Sequence, residues 1–212
     1  MKTTNKEEFT RVQRVSDGKY NLLDTNGKII SEKWFECIRC FDNRLARVQR
    51  EDGKFNLITE DGKFLSKQWF DWIDYFHDGL ALVQRERENP RFNYIDKEGK
   101  IISDEWFEWV DFFRDEIARV QREDYSYNLI NKQGKILSEQ WFRYVDYFKE
   151  GFAVVRRADD KYNYIDTKGK ILSDEWFEWV DDFREYDRAI VYRTNGECCK
   201  IDKEGKIVGF SK

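Results

Sequence analysis

LARVQREDGKFNLITEDGKFLSKQWFDWIDYFHDG, residues 45–79, holds the signals that decide this fold. Its opening alternates, with Ala46, Val48 and Arg50 on one side and Arg47 and Gln49 on the other, the pattern of a half-exposed strand. Asp52-Gly53 supplies a hairpin turn, because Gly takes the positive φ that a tight turn needs. A second strand is expected at residues 55–59. The next turn is the most regular in the chain: Asp24 with Gly27, Asp96 with Gly99, Asn131 with Gly134, Asp166 with Gly169 and Asp202 with Gly205, each followed by Lys. Asp or Asn at the first position and Gly at the fourth is type I turn chemistry with a left-handed Gly. A short third strand, such as residues 100–102, would complete a meander.

The stretch that follows reads two ways. In Ser103-Asp-Glu-Trp106-Phe-Glu-Trp109-Val-Asp-Phe-Phe113 the apolar spacing, with Ser ahead of acidic residues, suits one or two helical turns. Its shortness and its strand-preferring aromatics suit an irregular fourth strand.

Moving outward, a Trp-Phe pair recurs at Trp34, Trp69, Trp106, Trp141 and Trp176, and the whole unit recurs with it. Tandem copies of one supersecondary unit of about 35 residues make the fold an array. The units run 9–44, 45–79, 80–116, 117–151, 152–187 and a partial 188–212, and we read 1–212 as a single repeat domain. The third is longer because Glu88-Asn89-Pro90-Arg91 enlarges its first turn, which marks a loop face. The expected fold is all-β, an open superhelical or solenoid stack, with a closed β-propeller as the alternative.

Composition narrows the function classes. The chain of 212 residues is 38% charged and 17% aromatic, a mixture that suits units packed by large aromatics with solvated faces. Net charge is −4 with both signs interspersed, which argues against nucleic acid as a partner and against an anionic membrane surface. The polar start, MKTTNKEEF, and the lack of an 18-residue apolar run lead us to expect a cytoplasmic protein with no membrane partner.

The repeated residues resemble the WG-repeat (KWG) family of bacterial tandem repeats, in the Ala-x-Val strand, the Gly-Lys turn and the aromatic-Asp segment. The resemblance spans nearly the whole chain. Where that family has Trp-Gly, this chain has aromatic-Asn: Tyr20-Asn21, Phe55-Asn56, Phe92-Asn93, Tyr127-Asn128 and Tyr162-Asn163. The resemblance implies an all-β repeat with an interaction role, and it brings no catalytic residues.

Recurrence within the chain singles out further positions. The five Asn residues, set among large apolar neighbours, are expected to hydrogen-bond to backbone of an adjacent unit or to one another. Arg14, Arg50, Arg85, Arg122, Arg157 and Arg193 share one slot, on the strand face of Val48 and its equivalents. Partial burial there calls for a carboxylate, and Asp74, Asp111, Asp146 and Asp181 recur as candidates; the alternative is an Arg row offered to an acidic partner. Trp and Phe of each pair, with Ile73, Phe76 and their equivalents, are assigned to the core. Trp72, Trp109, Tyr144 and Trp179, with Tyr75, Phe112 and Tyr147, form extra rows that are either core or an exposed strip. If exposed, they and Arg50, Arg85, Arg122 and Arg157 are the candidate binding residues.

Cys37, Cys40, Cys198 and Cys199 occupy aromatic or Asn slots of the two atypical end units, so free thiols are expected rather than a metal site. The single His, His77, sits at a turn, and no phosphate loop, nucleophile elbow or metal spacing occurs. The expectation is a non-enzymatic scaffold without cofactor or metal, binding a protein or peptide of unknown identity through its aromatic and Arg-lined face. Carbohydrate and single-stranded nucleic acid are the alternatives, and oligomeric state is left open.

Overall fold

A computed structural model describes residues 10–42, 44–183 and 188–210, the side chains of 40–42 and 210 excepted. Phe9 and Asp187, the expected ends of the first and fifth copies, the polar stretch 1–9, and the Cys40 thiol lie outside the described residues. The chain forms two compact units, Met1–Trp106 and Phe107–Lys212. The boundary falls inside a Trp-Phe pair.

Every regular element among the described residues is a strand. In the first unit β1 (Thr10–Gln13) pairs with β2 (Tyr20–Leu23); β3 (Cys37–Asp42), β4 (Leu45–Gln49) and β5 (Phe55–Thr59) form one antiparallel sheet, and β6 (Trp72–His77), β7 (Leu80–Arg85) and β8 (Arg91–Asp96) the next. In the second unit β9 (Trp109–Val110), β10 (Ile117–Gln121) and β11 (Tyr127–Asn131) form a sheet, followed by β12 (Tyr144–Val145), β13 (Phe152–Arg156) and β14 (Tyr162–Asp166). The last sheet has four strands: β15 (Trp179–Val180), β16 (Arg188–Tyr192), β17 (Cys198–Asp202) and β18 (Ile207–Phe210). None of these sheets closes on itself.

The aromatic segment is a strand, not a helix, and it opens the following sheet. Its first half closes onto the preceding sheet, since Phe55 and Phe70 exchange backbone hydrogen bonds at 2.7 and 3.0 Å. Two residues later Trp72 pairs with Gln84 of β7. Within each unit the Trp-Phe segment therefore steps from one sheet to the next, as Phe142 and Phe177 repeat against Tyr127 and Tyr162. The short third strand expected after the Asp-x-x-Gly turn shrinks to one bridge, as in Ile58 with Phe64 or Ile165 with Ile171, and becomes a full strand only as β18.

Stacking also corrects the reading of the first strand. Leu22 packs with Phe35, Ile38, Ala46, Val48 and Ile58, whereas Leu57, the cross-strand partner of Arg47, packs with Phe70, Ile73, Ala81, Val83 and Ile95. One face of β4 and β5 thus meets the sheet before and the other the sheet after. The strand read as half-exposed is covered on both faces, and Arg47 is only 5% exposed. Within the second unit Leu129 and Tyr164 repeat the arrangement against Phe142 and Phe177. Burying one such Phe contributes about 2 to 3 kcal/mol, so the array is held by many modest contacts between neighbouring sheets.

The Gly turns serve the same stacking. Gly62 has φ of 79°, and a Cβ there would lie 1.9 Å from the carbonyl oxygen of Ile30 in the previous repeat. Gly169 repeats this against Leu137. Both the left-handed backbone and the close approach exclude a side chain. The Asp of the turn behaves as its chemistry predicts: Asp166 Oδ1 accepts from the backbone of Lys168 and Lys170.

Candidate functional site

The aromatic-Asn position anchors the frame. Asn163 donates from Nδ2 to the carbonyls of Ser173 at 2.8 Å and Glu175 at 3.0 Å, and its Oδ1 accepts from Tyr164 N. Asn21, Asn56, Asn93 and Asn128 do the same to residues ten and twelve positions on. The amide side chains do not stack on one another in these bonds. Instead each ties its strand to the turn before its own Trp-Phe pair, satisfying backbone groups that the irregular turn leaves unpaired. The Ser once read as a helix cap supports that turn, its hydroxyl accepting from the residue two on, as Ser173 does from Glu175.

The Arg row stands elsewhere than expected. Arg14, Arg50, Arg85, Arg122 and Arg157 lie over Trp34, Trp69, Trp106, Trp141 and Trp176, with 4.5, 4.8, 4.5, 3.7 and 4.3 Å from guanidinium carbon to ring centroid. That explains why these Trp residues are only half-buried while Phe35, Phe70, Phe107, Phe142 and Phe177 are fully buried. Each Trp is a platform capped by a cation. The carboxylates that meet Arg14, Arg50 and Arg157 belong to the hairpin turn, Asp17, Asp52 and Asp159, not to the Asp74, Asp111, Asp146 and Asp181 series. The turn acid is only two or three residues away, so it reaches the guanidinium without crossing a sheet. Arg50 holds the Asp52 carboxyl down at about 2.

A second Arg row, absent from the sequence reading, carries the inter-sheet contacts. Arg47 Nη1 donates to the Ile73 carbonyl at 2.8 Å, and its guanidinium lies 4.6 Å from the Trp72 ring and 5.1 Å from Tyr75. Arg119 donates to the Val145 carbonyl at 3.1 Å, pairs with Asp111 at 2.8 Å, and lies 3.8 Å from the Tyr147 ring and 5.6 Å from Trp109. Arg11 donates to the Ile38 carbonyl. The signal was present in the aligned copies, where the residue between the Ala and Val slots is Arg at 11, 47 and 119 but Leu, Val and Ile at 82, 154 and 190.

The outer aromatics surround this slot and face solvent. Trp72, Trp109, Tyr144, Trp179, Tyr75, Phe112 and Tyr147 are 37 to 60% exposed, so of the two readings the strip is the one that forms. Their backbone is fixed by buried neighbours, Ile73, Val145 and Val180. In the second unit Tyr144 and Trp179, with Tyr162, line a groove of about 440 Å³ together with Val154, Asp146 and Asp182. Burial first, and then the Asp146 carboxylate, push the Tyr144 hydroxyl up, so it stays protonated. Among the described residues the thiols of Cys37, Cys198 and Cys199 are free, and no group of three metal-ligating side chains assembles. Among the described residues no helix is long and apolar enough to cross a membrane.

A model of the WG containing repeat matches residues 94–125 and 129–162. Those two stretches of the chain are similar to WG repeats. Asn128, just ahead of the second matched stretch, shows what the aromatic-Asn pair does, since its amide bonds four backbone groups that a Gly could not. No curated protein matches the chain. Among solved structures it is similar to the computationally designed Ika8 protein, at 14% identity over 97% of this chain and 71% of that one, with a TM-score of 0.35. It is similar also to BamB from Moraxella catarrhalis, at 10% identity over 98% and 74%, TM-score 0.33. The WD40 β-propeller domain of Doa1 follows at 13% identity over 97% and 79%, TM-score 0.31.

Proposed function

We propose that the chain is a WG-repeat protein, a non-enzymatic, cytoplasmic scaffold that binds a protein or peptide along its outer aromatic strip. One observation supports the reading above others: large aromatics stand exposed at the same strand position in successive sheets, although each repeat already has a complete buried core without them. Trp and Tyr held on rigid strands offer wide contact area at small entropic cost, the property of recognition anchors. The Arg50, Arg85, Arg122 and Arg157 row is taken up in capping Trp platforms. The proposed contact surface is accordingly Trp109, Phe112, Tyr144, Tyr147 and Trp179 of the second unit, and Trp72 and Tyr75 offer a separate surface on the first.

Selection against a displayed peptide library tests this. The wild-type chain is expected to enrich a defined set of peptides, and the Trp109→Ala, Tyr144→Ala, Trp179→Ala triple variant, folded by circular dichroism, to lose them. Equal enrichment by the variant would overturn the strip.

A further inference from the structure

In the fourth repeat the slot between neighbouring sheets is filled by the chain's own Arg119, set between Asp111 and Trp109 of its sheet and the Val145 carbonyl and Tyr147 of the next. One repeat later every wall has a counterpart. Tyr144 takes the place of Trp109, Asp146 that of Asp111, Trp179 that of Tyr144, the Val180 carbonyl that of Val145, and Asp182 that of Tyr147. The occupant differs, because position 154 is Val and has no cation to supply, and two walls differ with it: Asp182 stands where Tyr147 stood and Arg156 where Gln121 stood. What remains is the open groove of about 440 Å³ already described.

We propose that this groove receives an arginine side chain from a partner polypeptide, which takes the place that Arg47 and Arg119 fill in their own repeats. Arg119 specifies the ligand: a planar guanidinium against aromatic rings, one edge on a backbone carbonyl and another on a carboxylate, of which Arg47 repeats the rings and the carbonyl. The groove is also more acidic than the filled slot, with Asp146, Asp181 and Asp182 set against Arg156 alone in its lining. Arg156 lies 5.8 Å from the Tyr162 ring and 3.7 Å from Asp160, at the strand end rather than at position 154. Lys149 pairs with Asp182 at 2.7 Å, whereas Asp146, the counterpart of Asp111, accepts from the Tyr144 hydroxyl and the Tyr147 backbone N–H, so a guest guanidinium would share that carboxylate with the Tyr144 wall. An ammonium lacks the flat face and the fork of donors, so arginine is preferred over lysine.

This names the partner chemistry of the strip and rests on reading the strip as a docking surface. The test is NMR titration of the full chain with N-acetyl-arginine amide, read at the Trp179 indole N–H. Saturable shifts are expected, with binding roughly tenfold weaker for the uncharged citrulline analogue. Val154→Arg, which refills the slot from within, is expected to abolish the shifts without lowering thermal stability. Asp146→Asn, a change of one atom type, is expected to weaken binding severalfold and serves should Val154→Arg fail to fold. Absence of Trp179 shifts, equal binding of citrulline amide, tighter binding of free arginine than of the capped amide, or undiminished binding by folded Val154→Arg would each overturn the proposal. Library peptides that depend on the strip but contain no arginine would overturn the slot alone. Capped arginine binding that Val154→Arg blocks, with no peptide enriched, would overturn the strip alone.

Discussion

Arg119 and Val154 occupy the same point in successive repeats, and the surfaces above them have opposite characters. Above β10 a guanidinium bonds the Val145 carbonyl and Asp111 and bridges two sheets, beside a smaller cavity of about 260 Å³. Above β13 a related set of rings, carbonyl and carboxylates, with Asp182 in place of the Tyr147 ring, surrounds a larger open volume of about 440 Å³. The frame is common to both: the Asn128 and Asn163 amides make the same four bonds, and Phe142 and Phe177 are equally buried. A stack of sheets held by many such contacts tolerates the loss of one cation, so a mid-strand position that stitches one pair of sheets is available for recognition in another.

The largest effect expected comes from removing what the two repeats share. Asn128→Ala and Asn163→Ala each strip a buried turn of two donors and an acceptor, and each is expected to cost about 3 kcal/mol or more in urea unfolding. The costs should agree closely. A clear inequality would mean that the frames differ and that the contrast between the slots is not confined to position 119 or 154.

Next in size is Arg119→Val, which turns the filled slot into a copy of the vacant one. It leaves Asp111 and the Val145 carbonyl without their donor, at an expected cost of about 1.5 to 3 kcal/mol. It is also expected to raise the number of N-acetyl-arginine amide sites by one, with new shifts at the Trp109 indole. Lost stability with no gained site would show that an empty slot is not sufficient for binding.

A smaller effect is expected from Arg122→Ala, which uncaps Trp141 outside either slot. Loss of an exposed cation–π contact costs about 0.5 to 1 kcal/mol. Titration of the Trp179 indole with the capped amide should be unchanged, which separates the platform arginines from the slot.

Much of this architecture was legible in the sequence. The Trp-Phe spacing and the Asp-x-x-Gly-Lys turns follow from local chemistry and lie where expected, and the recurring Asn is buried and bonded to backbone, but to its own unit and not to an adjacent one or to another Asn. The partners of the arginines were not legible, for a physical reason. Arg47 meets Ile73 and Arg119 meets Val145, both 26 residues on and in a different sheet. Strand alternation assigns such a residue to a face but does not say that another sheet covers that face. The shared slot of Arg50 and Val48 likewise suggested burial, yet the strand ends there, and the turn acid Asp52 is nearer than any carboxylate across the sheet. The aromatic segment resisted a single reading because its two halves pair with different sheets, so neither a strand period nor a helix period runs its full length.

The smallest effect expected distinguishes the two rows of arginine by pH. In the exposed turn, Arg50 bonds to Asp52, and this bond outweighs desolvation in holding the carboxyl at about 2, with the Lys54 backbone N–H assisting. A carboxyl lowered in the folded state stabilises that state above its ordinary value of about 3.9, and the contribution fades as pH falls toward 2. Arg50→Ala is therefore expected to return the Asp52 carboxyl carbon titration toward the ordinary range, with little change in melting temperature at pH 7, since exposed pairs are screened by solvent. The fall in stability between pH 4 and pH 2 should become slightly shallower. An Asp52 midpoint that stayed near 2 in the variant would assign the shift to the turn backbone instead. The arginines of the outer row would then act only on their Trp platforms, which would sharpen their difference from Arg119 and its carboxylate.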